Sequence, residues 1–183
     1  MTFDPSTYDA VVYDLDGTIV DLAVDWGAVA DDVVAVYAEH AIKPPGDDLW
    51  DLLDVADEYG IAEAVEETVA RHELVGARDS RRLPLADVLV RGEPSRAAVC
   101  SLNCEAACRT ALETHDLADR VSAIVGRDTV DTRKPDPDPL LAALDALDVE
   151  PSRAAFVGDS RRDARAAELA DVPFVWTADA IGE

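Results

Sequence analysis

At 183 residues, 49 % of them apolar, the chain is long enough for one full core with a modest insertion, which excludes two large domains and argues against a disordered chain. Its 39 Asp and Glu against 16 Lys and Arg give a formal net charge of −23, which excludes nucleic acid and anionic membranes as partners. No stretch approaches the ~18 apolar residues of a membrane span, and the N-terminus lacks the basic and apolar regions of an export signal, so a cytoplasmic protein is expected.

The first expected element is a buried strand at Asp9–Tyr13, a short β-rich apolar run that stops abruptly at Asp14-Leu15-Asp16-Gly17-Thr18. From Ile19 to about Leu83 the pattern changes to helical spacing, with Trp26, Val29, Val33, Val34 and Tyr37, then Leu49, Leu52, Leu53 and Ala56. Turn signals at Pro44-Pro45-Gly46 and at Gly60 divide this stretch, which shows no strand pattern and reads as an all-helical insertion. Alternation then resumes. Arg96–Cys100 is extended, Asn103 is the expected N-cap of a helix to about His115, and Val121–Val125 is the third strand. Asp138 is the expected N-cap of a helix with Pro139 at its first position and Leu140, Leu141, Leu144 and Leu147 on one face. Ala154–Val157 is the fourth strand, a helix starts near Ser160, and Val172–Trp176 is a fifth strand whose Pro173 suits an edge. Strands alternating with helices predict an α/β fold with a doubly wound, Rossmann-like parallel sheet. The expected division is a core of residues 1–19 and 84–183 with a helical insertion at 20–83.

In such a sheet, ligands lie beyond the carboxyl ends of the strands. The residues there are polar and complementary: Asp14 and Asp16, then Ser101, then Gly158, Asp159 and Ser160, with Lys134 in the loop after the third strand. Asp14 and Asp16 are two apart in extended chain, so both carboxylates face one side, and Gly17 lets the chain turn away. With Asp159 and Asp163 nearby they repel unless a cation intervenes, and an all-oxygen set suits Mg²⁺. Cys104 and Cys108 stand one helical turn apart but have no partner at zinc-ligand spacing, so they read as buried thiols.

Four segments together resemble the haloacid dehalogenase superfamily of hydrolases, in its phosphatase branch: Asp14-Leu15-Asp16-Gly17-Thr18, Ser101 after a strand, Lys134-Pro135-Asp136-Pro137, and Gly158-Asp159-Ser160-Arg161-Arg162-Asp163. The order and the strand-end positions match over Asp9 to about Trp176, and the inserted helices resemble that family's C1-type cap. The resemblance implies Mg²⁺-dependent hydrolysis of a small phosphomonoester. Asp14 would be the nucleophile, and Asp16 the acid and then the base. Ser101 and Lys134 would bind the phosphoryl oxygens. The metal would be held by Asp14, the Asp16 carbonyl and Asp159, with Asp163 behind it. Thr18 would assist at the phosphate or the acid. The family's Asn directly after the second-segment Ser is here Leu102, with Asn103 one further on.

Dehalogenation is disfavoured because such members lack the second aspartate, present here as Asp16. A sugar-phosphate mutase, or a non-catalytic binding protein on the same fold, remains the alternative. Lys43, Arg78, Arg81 and Arg82 in the insertion are candidates for meeting an anionic substrate. Only two lysines, Lys43 and Lys134, stand beside fourteen arginines, so the acidity comes partly from lysine depletion, and a salt-rich cytosol is the expected habitat.

Overall fold

The structure, a computed structural model, describes residues 3–91 and 96–181. Strand β1 (Ala10–Tyr13) is buried at all four positions, as a non-alternating apolar run requires when both faces of a sheet are covered. After it come β2 (Val20–Asp21), α1 (Trp26–Glu39), α2 (Leu49–Val55), α3 (Ala62–Arg78), β3 (Arg81–Arg82) and α4 (Leu85–Arg91). The second half holds β4 (Ala97–Cys100), α5 (Glu105–Thr114), β5 (Ala123–Val125), α6 (Asp138–Leu147), β6 (Ala154–Gly158), α7 (Arg161–Leu169), β7 (Phe174–Trp176) and α8 (Thr177–Ile181).

Five strands form one parallel sheet in the order β5-β4-β1-β6-β7. Chain order leaves β1 toward β5 and then returns to its other side, so the topological switch lies at the carboxyl end of β1, between β4 and β6. Side-chain alternation divides the core between the two faces. Val11, Tyr13, Val99 and Val157 pack under α4 and α5, and Val12, Ala98, Cys100 and Phe156 pack under α6 and α7. A fully buried side chain of this size contributes about 1.5–3 kcal/mol. A third cluster, with Val29, Val33, Tyr37, Leu52, Val65 and Val69 at its centre, belongs to α1, α2 and α3 alone.

Three expectations need correcting. The 20–83 stretch does contain strands: Val20–Asp21 pairs antiparallel with Arg81–Arg82, closing the base of the helical segment. Two residues per strand are too few to show a period of two. Two N-caps shift by one residue: that of α5 is Cys104, because the Asn103 side chain is drawn into the buried contacts described below, and that of α6 is Pro137, whose carbonyl accepts from Leu141 N, so Asp138 is already helical. The third and fifth strands are shorter than expected, at Ala123–Val125 and Phe174–Trp176; β7 does lie at an edge.

Candidate active site

The carboxyl ends of β1, β4 and β6 meet in a cavity of about 460 Å³ that holds Asp14, Asp16, Ser101, Asn103, Asp159 and Ser160 in its lining. Asp14 is buried where β1 ends, its N–H still donating to Val157 O at 2.8 Å across the sheet. Its Oδ1 accepts from Leu15 N at 2.7 Å and lies 3.1 Å from Lys134 Nζ, while Oδ2 makes no hydrogen bond among the described residues. Burial pushes the Asp14 carboxyl up to about 7, against the pull of the Lys134 ammonium.

Asp16 is half-buried, and its Oδ1 accepts from Leu22 N at 2.8 Å, which fixes the carboxylate as the chain leaves the sheet. Burial pushes it up to about 6, opposed by that Leu22 N–H and reinforced by Asp21 and Asp159. Between the two acids and Asp159, Gly17 takes φ +76, and a Cβ there would stand 2.2 Å from Asp159 Oδ2. Only glycine satisfies both the backbone and the space.

Lys134 enters from the loop after β5 and is 2 % exposed. Its Nζ donates to Asp163 Oδ1 at 2.5 Å and to Cys100 O at 2.9 Å, besides facing Asp14. Burial alone would lower its pKa, but Asp14 and Asp163 outweigh that, so the ammonium stays charged. Asp136, the partner it would have as a surface lysine, instead accepts from Asp138 N. Asp163 serves two elements at once: its Oδ2 accepts from Ser160 N at 3.0 Å and Ser160 Oγ at 2.6 Å in the capping box of α7, leaving Oδ1 for Lys134.

Asp14, Asp159 and Asp163 bring carboxylate oxygens within 4.8 Å of one another, with Lys134 the cation that faces two of them. That surplus of hard oxygen donors suits a divalent cation such as those oxygen-ligated in proteins. Because both Asp163 oxygens are engaged, Asp14 and Asp159 are the side chains with free ligand capacity. Thr18 is fully buried, its hydroxyl lies 3.3 Å from Thr177 Oγ1, it is not in the cavity lining, and it makes no hydrogen bond to Asp16 among the described residues. Cys100, Cys104 and Cys108 are buried free thiols, as expected.

Ser101 lies at the end of β4, its Oγ donating to Asn103 Oδ1 at 3.0 Å and accepting from Asn103 N at 3.2 Å. Beneath it is a group of contacts absent from the sequence reading. Glu73 of α3, fully buried, accepts from Asn103 Nδ2 at 3.1 Å and Cys104 N at 3.0 Å. Arg127 pairs with it through its two terminal nitrogens, at 2.7 and 3.1 Å, and also bonds Glu66 and Leu102 O. A carboxylate only accepts, so Glu73 fixes the Asn103 amide with its nitrogen inward and its oxygen toward Ser101. The signal was present in part: Val65, Val69, Glu73 and Ala77 recur every fourth residue, placing a charge on an apolar stripe. Its partner, 54 residues away, left no pattern.

The helical segment contributes Trp26, Ala30, Asp47, Asp48, Leu49 and Trp50 to the cavity wall. None of Lys43, Arg78, Arg81 and Arg82 lines it; Arg81 pairs with Asp21 and Arg82 with Asp87. Arg162 of α7 stacks on Trp50, its guanidinium carbon 5.0 Å from the ring centroid, and joins the two sides of the cavity.

Along most of its length the chain is similar to known proteins. The family model of haloacid dehalogenase-like hydrolases matches residues 91–177. A phosphoglycolate phosphatase of Escherichia coli K12 is 30 % identical over 213 aligned positions, covering 90 % of this chain and 79 % of the relative. One from Rhodospirillum rubrum is 48 % identical over 80 residues, 44 % of this chain but only 33 % of that protein's length. Among solved structures, a candidate phosphoglycolate phosphatase from Lactobacillus plantarum superposes with TM-score 0.69 at 26 % identity, covering 96 % of this chain and 88 % of its own. CbbY from Rhodobacter sphaeroides, solved with phosphate, shares the fold at TM-score 0.64 and 22 % identity, over 92 % and 85 % of the two chains.

Proposed function

Since the chain belongs to the haloacid dehalogenase-like hydrolases, we propose that it hydrolyses a small phosphomonoester through an aspartyl-phosphate formed on Asp14. The observation that carries this reading is the single buried ammonium of Lys134 held between Asp14 and Asp163, at the point where three strand ends converge. A site built to bind without turnover would not need a buried carboxylate with one oxygen tethered and the other free.

In the first step an Asp14 oxygen attacks phosphorus, the bond to the leaving oxygen breaks, and the Asp16 carboxyl gives that oxygen its proton. In the second, Asp16 takes a proton from water, whose oxygen attacks phosphorus and frees Asp14 and inorganic phosphate. Ser101 and Lys134 hold the phosphoryl oxygens through both steps, and Asp163 keeps Lys134 in place. The Asp14 and Asp159 carboxylates with the Asp16 carbonyl would hold Mg²⁺, which supplies positive charge opposite the phosphoryl oxygens. The helical segment at 20–83 acts as the cap that encloses the leaving group, over a core of residues 1–19 and 84–183.

Phosphate release from a panel of phosphomonoesters, with and without Mg²⁺, tests the reading. Wild type is expected to require the metal, and Asp14→Asn to lose turnover entirely while keeping its far-ultraviolet circular dichroism. A folded Asp14→Asn protein with near-native rates would refute the mechanism.

A further inference from the structure

Two of the chain's three tryptophans, Trp26 and Trp50, line the same cavity as Asp14 and Asp16. A generally acidic surface accounts for Asp47 and Asp48 beside them, but not for two half-buried indoles facing one site. The lining as a whole carries five carboxylates, Asp14, Asp16, Asp47, Asp48 and Asp159, against one guanidinium, Arg162, which is stacked on Trp50. From the cap side the cavity therefore offers flat apolar faces and hydrogen-bond acceptors, and no cation.

Resting on the phosphatase reading above, we propose that the cavity selects phosphomonoesters whose leaving group is a neutral, polyhydroxylated ring, a pentose or hexose, and rejects those whose leaving group bears a carboxylate. Indole faces cover the C–H side of such a ring. Carboxylates accept hydrogen bonds from its hydroxyls: Asp48 uses Oδ1 to cap α2, receiving Trp50 N and Asp51 N, which leaves Oδ2, and Asp47 makes no hydrogen bond among the described residues. A flat aryl or nucleobase leaving group would use the indoles but leave these acceptors without O–H donors. Size agrees: 460 Å³ is in the range of about 300–1,000 Å³ that encloses ligands of many atoms, well beyond a two-carbon acid. A carboxylate placed there would meet Asp47 and Asp48 on the cap side, where the lining offers no cation, and Arg162 across the cavity is the one guanidinium against five carboxylates. The specificity thereby differs from the one that the relatives' names carry.

The test is kcat/KM in molar KCl with Mg²⁺ for pentose and hexose monophosphates against phosphoglycolate, 3-phosphoglycerate and para-nitrophenyl phosphate. The best sugar phosphate is expected to exceed phosphoglycolate by at least about 100-fold, or roughly 2.7 kcal/mol of transition-state stabilisation. Trp50→Ala should raise KM for that sugar phosphate at least about 10-fold with a smaller change in kcat, since it removes ground-state binding. Asp47→Asn should narrow the margin over phosphoglycolate. In Asp14→Asn, titration with the sugar phosphate should shift tryptophan emission, and the shift should vanish when Trp26 and Trp50 are both Phe. Equal or better turnover of phosphoglycolate or the aryl ester would overturn this inference alone, and release of phosphate from none of the esters would overturn the phosphatase reading with it.

Discussion

Lys134 is a single nitrogen meeting three acceptors, Asp14 Oδ1, Asp163 Oδ1 and Cys100 O, inside a fully packed site. A guanidinium spreads its donors over a rigid fork and cannot reproduce that convergence. Lys134→Arg is therefore expected to lower turnover at least about 10-fold, or roughly 1.4 kcal/mol of transition-state stabilisation. Its thermal midpoint should fall too, because extra atoms in a closed site cost about 1–3 kcal/mol. Steady-state rates taken well below both midpoints separate the two effects; wild-type turnover would show that the one-nitrogen geometry is dispensable. This residue was legible in the sequence because a chain that otherwise uses arginine kept lysine there, just as Asp14, Asp16, Ser101 and Asp159 were legible from their places at strand ends. Trp26, Trp50 and Asp47 were not. Their spacing on the chain obeys their own helices and loop, and their meeting with Asp14 is fixed by how the helical segment docks, which no local pattern encodes.

Between elements, the Glu73–Arg127 pair ties α3 to the loops after β4 and β5, with both side chains nearly devoid of solvent contact. Removing one partner of such a pair leaves a buried charge uncompensated, which costs about 3–5 kcal/mol, whereas replacing both with apolar groups is often neutral. Arg127→Met should therefore destabilise the protein strongly in guanidinium melts, and Arg127→Met with Glu73→Met should recover part of the loss, the remainder being the Asn103 and Cys104 N–H groups left without their acceptor. A double variant no more stable than the single one would show that the charges are not what couples these residues. The double variant also frees the Asn103 amide to turn, because its Nδ2 loses Glu73 as acceptor, so its KM for the phosphoester should rise while Ser101 loses its fixed neighbour. The elements themselves were readable wherever a period had room to show, as in β1, β6 and α6. The β2–β3 ribbon had two residues per strand, and Asn103 looked like a cap because a polar side chain before a helix usually is one; here Glu73 competed for it and won.

For the whole molecule the dominant fact is a net charge of −23 on one compact body. A chain of this length folds to a radius of gyration of about 16 Å. At 0.01 M salt the screening length is about 30 Å, comparable with the molecular diameter, so each carboxylate repels nearly all the others; at 0.1 M it is about 10 Å and at 1 M about 3 Å. Salt also weakens the surface ion pairs Arg81–Asp21, Arg109–Glu105 and Arg165–Glu168, but exposed pairs are worth only about 0–1 kcal/mol each. The Lys134 and Arg127 clusters are buried and change little. Repulsion relieved thus exceeds attraction lost, and the thermal midpoint should rise with KCl, most steeply below about 0.1 M where the screening length shortens fastest, then further toward molar. Differential scanning calorimetry across a KCl series measures it. A midpoint flat over this range would sink the idea of salt adaptation while leaving the catalytic assignment untouched, because Asp14, Lys134 and Asp163 interact at distances that salt does not reach.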